Sequence, residues 1–185
     1  MKLIPTKLNG VVVIEPDVHS DNRGYFMESY NRSKLEQLGL MFDFVQDNQS
    51  LSIQSSVIRG LHYQIHPKAQ TKLVRVLTGA IYDVAVDIRE GSPTFGQWFG
   101  VILSEENKRQ LLVPRGFAHG LCTLVPYTQV LYKVDEFYSA EHDRGIAWND
   151  PELAIDWPVS SAILSDKDNN QPLFKHAEMN FRIGE

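Results

Sequence analysis

Between Arg59 and Val76 the chain reads RGLHYQIHPKAQTKLVRV, which sets two histidines, two arginines and two lysines among residues of strand character. Residues two apart on a strand share a face. On that rule Lys72 goes with Val74 and Val76, Tyr132 with Val130 and Val134, and His62 with Ile58. If the apolar companions face a core, an imidazole, an ammonium and a phenol from three different strands enter one interior. Groups of this kind can take, hold or return a proton. They are costly to bury without partners, so a lined pocket explains them better than an inert core does. Taken singly, each has a plainer reading: His62 or His119 as a hydrogen-bonded structural histidine, Tyr132 as a strand aromatic, Arg23 and Arg59 as solvated charges. Convergence is what would change their meaning.

The elements that must position these groups are short and numerous. GVVVIEP, GYFMESY, FDFVQDNQSLS, SVIRGLHYQ, TKLVRVLTGAIYDVAVDI, FGQWFGVIL, QLLVP, HGLCTLV and TQVLYKVDEFY are rich in β-branched and aromatic residues and are mostly bounded by turn formers. SKLEQLGL, residues 33–40, reads as a helix, with Ser33 as a cap and Gly39 near its end. About nine strands and almost no helix predict an all-β fold, an antiparallel jelly roll or small barrel with a few short helices. In IYDVAVDI one face carries Tyr82, Val84, Val86 and Ile88 and the other Asp83, Ala85 and Asp87, so the apolar side is expected to be buried.

A chain of 185 residues, 43% of them apolar, has enough material for one substantial core, so one domain over residues 1–185 is expected. A net charge of −5 argues against a nucleic-acid binder, and a phosphate would have to meet a local cluster of cations. With Cys122 as the one cysteine, no intramolecular disulfide can form. The N-terminal MKLIPTKLNG lacks the continuous apolar core of a signal peptide, and no apolar run approaches the roughly 20 residues that cross a bilayer. A cytoplasmic protein without a membrane partner is the expectation.

DNRGYFMESYN (21–31), FVQDNQS (44–50), VIRGLHYQ (57–64), AQTKLVRVLTGAIYDVAVDIR (69–89), SPTFGQWFG (92–100), VPRGFAHG (113–120), LYKVDEFY (131–138), WNDP (148–151) and LSDKD (164–168) occur in that order. Together they strongly resemble the dTDP-4-dehydrorhamnose 3,5-epimerase family, cupin-like jelly-roll enzymes that act on sugar nucleotides, and the resemblance runs nearly end to end. It implies inversion at C3 and C5 of dTDP-4-dehydro-6-deoxy-glucose, on either side of the C4 ketone.

The resemblance also implies roles. His62 matches the base that removes a proton next to the ketone, and Asp168 the carboxylate that orients it. Lys72 matches the cation beside the ketone oxygen, and Tyr132 the acid that returns a proton from the opposite face. Arg23 and Arg59 match positions that meet the diphosphate, with Lys167 assisting. Glu28, Gln46 and Asn48 match polar contacts of the nucleotide, Tyr138 an aromatic near the thymine of a neighbouring chain, and His119 a histidine near the sugar. His19 stands where the family often has an aromatic, and the acidic contact that sometimes follows Tyr138 aligns within Ser139–Arg144 in more than one way. Neither a metal nor another cofactor is expected. His62 and His66 would lie about 13 Å apart at roughly 3.3 Å per strand residue, and PRGFAH resembles a cupin metal segment without the glutamate that would complete the ligands.

A homodimer is expected, with GVVVIEP as an apolar strand free to pair with another chain. Two alternatives remain at this level: an enzyme of the same fold that inverts one centre or moves the ketone, and a non-catalytic cupin that binds a sugar nucleotide or a metal. The set His62, Asp168, Lys72 and Tyr132 disfavours the second, because binding needs no paired base and acid.

Overall fold

The computed structural model describes residues 1–184. Thirteen strands run in chain order: β1 (Lys2–Pro5), β2 (Val12–Glu15), β3 (Val18–Asp21), β4 (Gly24–Met27), β5 (Gln46–Ser52), β6 (Ile58–Gln64), β7 (Lys72–Thr78), β8 (Ala80–Asp87), β9 (Trp98–Ser104), β10 (Gln110–Val113), β11 (Phe117–Thr123), β12 (Thr128–Val134) and β13 (Asp143–Gly145). Two short helices, α1 (Arg32–Gln37) and α2 (Asp166–Asn169), interrupt them. Six strands form one antiparallel sheet in the order β1-β2-β10-β7-β12-β5, and five form another in the order β13-β6-β11-β8-β9. The fold is an all-β jelly roll. The hairpin β3–β4 stands apart as its own two-stranded sheet.

The alternation of each strand now divides among three apolar layers. Between the two sheets lie Val74 and Val76 of β7, Ile81 and Ala85 of β8, Phe117 and Leu121 of β11, and Val130 of β12. Outside the five-stranded sheet, Val84, Val86, Ala118 and Cys122 pack under a C-terminal cover that includes Leu153, Trp157, Phe174 and Phe181. Outside the six-stranded sheet, Leu73 and Leu112 meet Leu35 of α1 and the aromatics Phe42 and Phe44. Both faces of these central strands are therefore removed from water. Tyr82, Val84, Val86 and Ile88 do face a buried layer, but that layer is the outer one. The polar face is the one that looks between the sheets, and Asp83 and Asp87 on it have no exposed surface.

A bulge decides which way His62 points. From Leu121 to His119, β11 advances two residues while its partner β6 advances three, from Arg59 to His62. The extra residue reverses the alternation, so Ile58 packs in the outer layer with Leu61 and Tyr63 while Arg59 and His62 both turn toward the cavity between the sheets. His62 and Ile58 do not share a face, contrary to the parity expectation. Gly60 makes the bulge possible. Its φ is +130°, and a Cβ there would lie 2.5 Å from the Cα of Gly120.

Two local expectations change as well. The cap of α1 is Asn31, whose side chain accepts from the Lys34 N–H, and not Ser33. Asparagine takes this place because the helix already begins at Arg32, which puts the capping position two residues before Ser33. The strand β2 within GVVVIEP has a neighbour on each side, β1 and β10, so the edges of the six-stranded sheet belong to β1 and β5 instead.

Candidate active site

Where the two sheets part, a cavity of about 330 Å³ opens. Its wall from the five-stranded sheet is made by Arg59 and His62 of β6 and by His119 and Leu121 of β11; Lys72 of β7 and Tyr132 of β12 face them from the other sheet. Ser165, Lys167 and Asp168, brought by α2 and its cap, close one side.

A close contact in the cavity joins residues 106 positions apart. Nε2 of His62 lies 2.5 Å from Oδ1 of Asp168. The carboxylate is 5% exposed. Burial by itself would raise its pKa, but the hydrogen bonds from His62, the Ser165 hydroxyl and the Gly60 N–H together hold it below the ordinary carboxylate value. Ser165 acts twice, donating to Oδ2 of Asp168 at 2.8 Å and accepting from the Asp168 N–H at 3.1 Å, so the cap of α2 also fixes the carboxylate's rotamer. His62 keeps its second ring nitrogen for the cavity.

Lys72 is buried, and its ammonium donates to the His62 carbonyl at 3.1 Å. Desolvation lowers its pKa from 10.5 to about 8, against the opposing pull of Asp143 and Asp83. Tyr132 is pushed above the ordinary phenol value by burial, with Arg59 pulling the other way. An imidazole paired with a carboxylate, an ammonium and a phenol thus line one cavity. Among the described residues no cluster of three or more His, Cys, Asp or Glu is arranged to hold a metal ion.

A polar rim surrounds this centre. Arg59 donates to the Ser52 hydroxyl and the Leu51 carbonyl, both at 3.3 Å. Gln46 and Asn48 lie on one face of β5 and bond each other at 2.8 Å, and Gln46 also accepts from the Tyr138 N–H. Asp143 accepts from the Tyr138 hydroxyl at 3.2 Å and pairs with Lys167. Arg23 and Glu28 are not brought in. Arg23 sits at the tip of the β3–β4 hairpin, paired with Asp21, and lines with His19 a separate open hollow of about 370 Å³. Glu28 follows the hairpin and pairs with Lys34.

Comparison with known proteins places this architecture. Residues 5–176 match the family model described as dTDP-4-dehydrorhamnose 3,5-epimerase. The chain belongs to that family. A curated epimerase of this name from Shigella flexneri is 51% identical over 179 residues, covering 96% of this chain and 98% of its own. The crystal structure of the Bacillus anthracis epimerase with TDP and PPi bound is 62% identical, with a TM-score of 0.92 over 93% of this chain and 98% of that one. The Legionella pneumophila epimerase in complex with dTDP-4-keto-L-rhamnose is 48% identical, with a TM-score of 0.91 over 95% and 93% of the two chains.

Within this epimerase-family fold three side chains enter the site that sequence reasoning did not assign. Asp83 bonds His119 at 2.8 Å, Ser165 holds Asp168, and Asp143 joins Tyr138 to Lys167. Asp83 carried a signal, a carboxylate on the second face of an otherwise apolar strand. Ser165 carried one too, as a capping serine three residues before Asp168. Asp143 is the acid within Ser139–Arg144 that touches Tyr138, and only the packing of β13 beside β6 singles it out.

Proposed function

We propose that this chain is a dTDP-4-dehydrorhamnose 3,5-epimerase. It converts dTDP-4-dehydro-6-deoxy-glucose to dTDP-4-dehydro-L-rhamnose, an isomerisation in deoxysugar biosynthesis. The observation that carries the mechanism is the His62–Asp168 pair facing the same cavity as Lys72 and Tyr132.

The C–H bonds at C3 and C5 are acidified by the C4 ketone. His62 takes the proton through the ring nitrogen that Asp168 leaves free, and Asp168 stabilises the imidazolium that forms. The electron pair moves into the carbonyl to give an enolate, whose oxygen meets the Lys72 ammonium. Tyr132 donates a proton to the carbon from the other face, so the centre inverts; the His62 imidazolium then gives its proton to solvent and the Tyr132 phenolate takes one from solvent before the second centre reacts. Atoms and charge balance without an external redox partner. Arg59 and Lys167 supply the positive charge for the diphosphate, and Gln46, Asn48 and Tyr138 serve the nucleoside. In this reading Arg23 and Glu28 serve the same end of the substrate from the hairpin of a second copy in a homodimer, since their own chain keeps them outside its cavity.

The reaction is tested by incubating the protein with substrate in deuterated water and following C3 and C5 by proton NMR. Two incorporated deuterons with inversion are expected. One deuteron indicates a single-centre epimerase, and none overturns the enzymatic reading.

A further inference from the structure

Asp83 has no part in the steps above, yet it is fully buried, on the face of β8 that looks between the sheets. Its Oδ1 lies 2.8 Å from Nε2 of His119. Its Oδ2 is, among the described residues, the one buried side-chain polar atom without a hydrogen-bond partner. A protein rarely keeps such an atom without a reason. His119 lines the cavity and Nδ1, its second ring nitrogen, is not among the buried unpartnered atoms, so that nitrogen is open to the cavity.

The partner of Nε2 decides where a neutral His119 carries its proton. A carboxylate can only accept a hydrogen bond. A neutral His119 must therefore place its proton on Nε2, toward Asp83, and its lone pair on Nδ1.

We propose that Asp83 is a positioning residue that holds His119 as the Nε2–H tautomer, making Nδ1 a hydrogen-bond acceptor for a hydroxyl of the sugar. This rests on the sugar-nucleotide reading above. It also divides the labour by polarity. Lys72 is a donor only and suits the ketone oxygen, whereas Nδ1 of His119 is an acceptor only. Ketone and diphosphate oxygens cannot donate to it, so the sugar hydroxyls are its match.

The tautomer is read directly by long-range proton–nitrogen NMR of the ligand-free protein labelled with ¹⁵N-histidine. Nε2 protonated and Nδ1 unprotonated is the expected pattern for His119. A proton on Nδ1, or an imidazolium at neutral pH, overturns the proposal. Because this measurement uses the parental protein, it holds even if a variant fails to fold. Kinetics supply the second arm through Asp83→Asn, which keeps the volume and removes the charge. It should lower kcat/KM about tenfold or more, the loss expected for one buried hydrogen bond. In the His119→Ala background the same substitution should lose most of its effect, leaving only the smaller part that comes from its pull on Lys72, because Asp83 acts mainly through His119. Losses that simply multiply in the double variant would overturn the proposal. A parental enzyme that exchanges no substrate proton would instead refute the reaction reading, and the NMR pattern would still decide the tautomer.

Discussion

Lys72 is an ammonium held where water is scarce, and that fact has consequences for both activity and stability. Its pKa is lowered from 10.5 to about 8 by desolvation. If the protonated amine stabilises the enolate, kcat should fall as pH rises through about 8, and a pH–rate profile checks this. The sign for stability follows from linkage. The folded pKa lies below the unfolded one, so the buried charge costs stability below pH 8, and the cost is relieved as pH rises toward 10.5, where the folded state sheds its proton first. The full cost is on the order of 3 kcal/mol. Lys72→Met should therefore raise Tm at pH 7 while abolishing most activity, and the gain should shrink toward pH 10. Thermal melts at both pH values are the measurement, and no gain at pH 7 would contradict the account. Tyr132→Phe separates two steps. Removing the hydroxyl while keeping the ring should lower inversion about 10²- to 10⁴-fold, yet leave His62 able to exchange the substrate proton. Deuterium would then enter with configuration retained. Full inversion at the parental rate would mean that another group is the acid.

At the scale of elements, the β6 bulge is what turns Arg59 and His62 to the same side. Gly60 is required there for two reasons that can be told apart. Its φ is +130°, and an added Cβ would lie 2.5 Å from Gly120 Cα and 2.8 Å from the His119 carbonyl oxygen. Gly24 has a similar φ of +133° but no atom within 4 Å of an added Cβ. Strain of this kind costs about 1–3 kcal/mol, and Gly24→Ala should show that alone. Gly60→Ala should cost clearly more, because β6 and β11 must also move apart, and it should depress kcat beyond its effect on stability. Urea unfolding midpoints with kcat measured on the folded fraction make the comparison. Equal losses for the two variants would show that the contact with β11 is not limiting.

For the whole molecule, the hairpin β3–β4 is the part that one chain leaves unexplained. Tyr25 and Phe26 are 55% and 69% exposed, and Arg23 pairs with Asp21 and does not line the cavity of its own chain. The β1 edge of the six-stranded sheet is also open. A homodimer that covers the hairpin should give twice the chain mass by light scattering at micromolar concentration. Arg23→Ala should then weaken substrate binding, raising KM more than it lowers kcat. A fully active monomer would refute the dimer.

Much of the local order follows from the order of residues alone. Strand alternation is a property of a few consecutive residues, so the inward faces of Lys72 with Val74 and of Tyr132 with Val130 could be read without knowing what packs against them. The all-β architecture follows for the same reason. Asp168 could be named from the family resemblance, not from periodicity, because nothing local links it to a histidine 106 residues earlier. Tertiary structure decided the rest. The bulge at Gly60 arises from pairing with β11, and it reverses the face of His62 that unbroken alternation predicts. The C-terminal cover buries Tyr82, Val84, Val86 and Ile88 from outside, which leaves the other face of β8 to carry Asp83 to His119. Arg23 has the right chemistry for phosphate but lies outside its own cavity, because hairpin placement depends on long-range packing. Period and polarity are encoded within a strand; which strand lies beside it, and in what register, is decided only when distant segments meet.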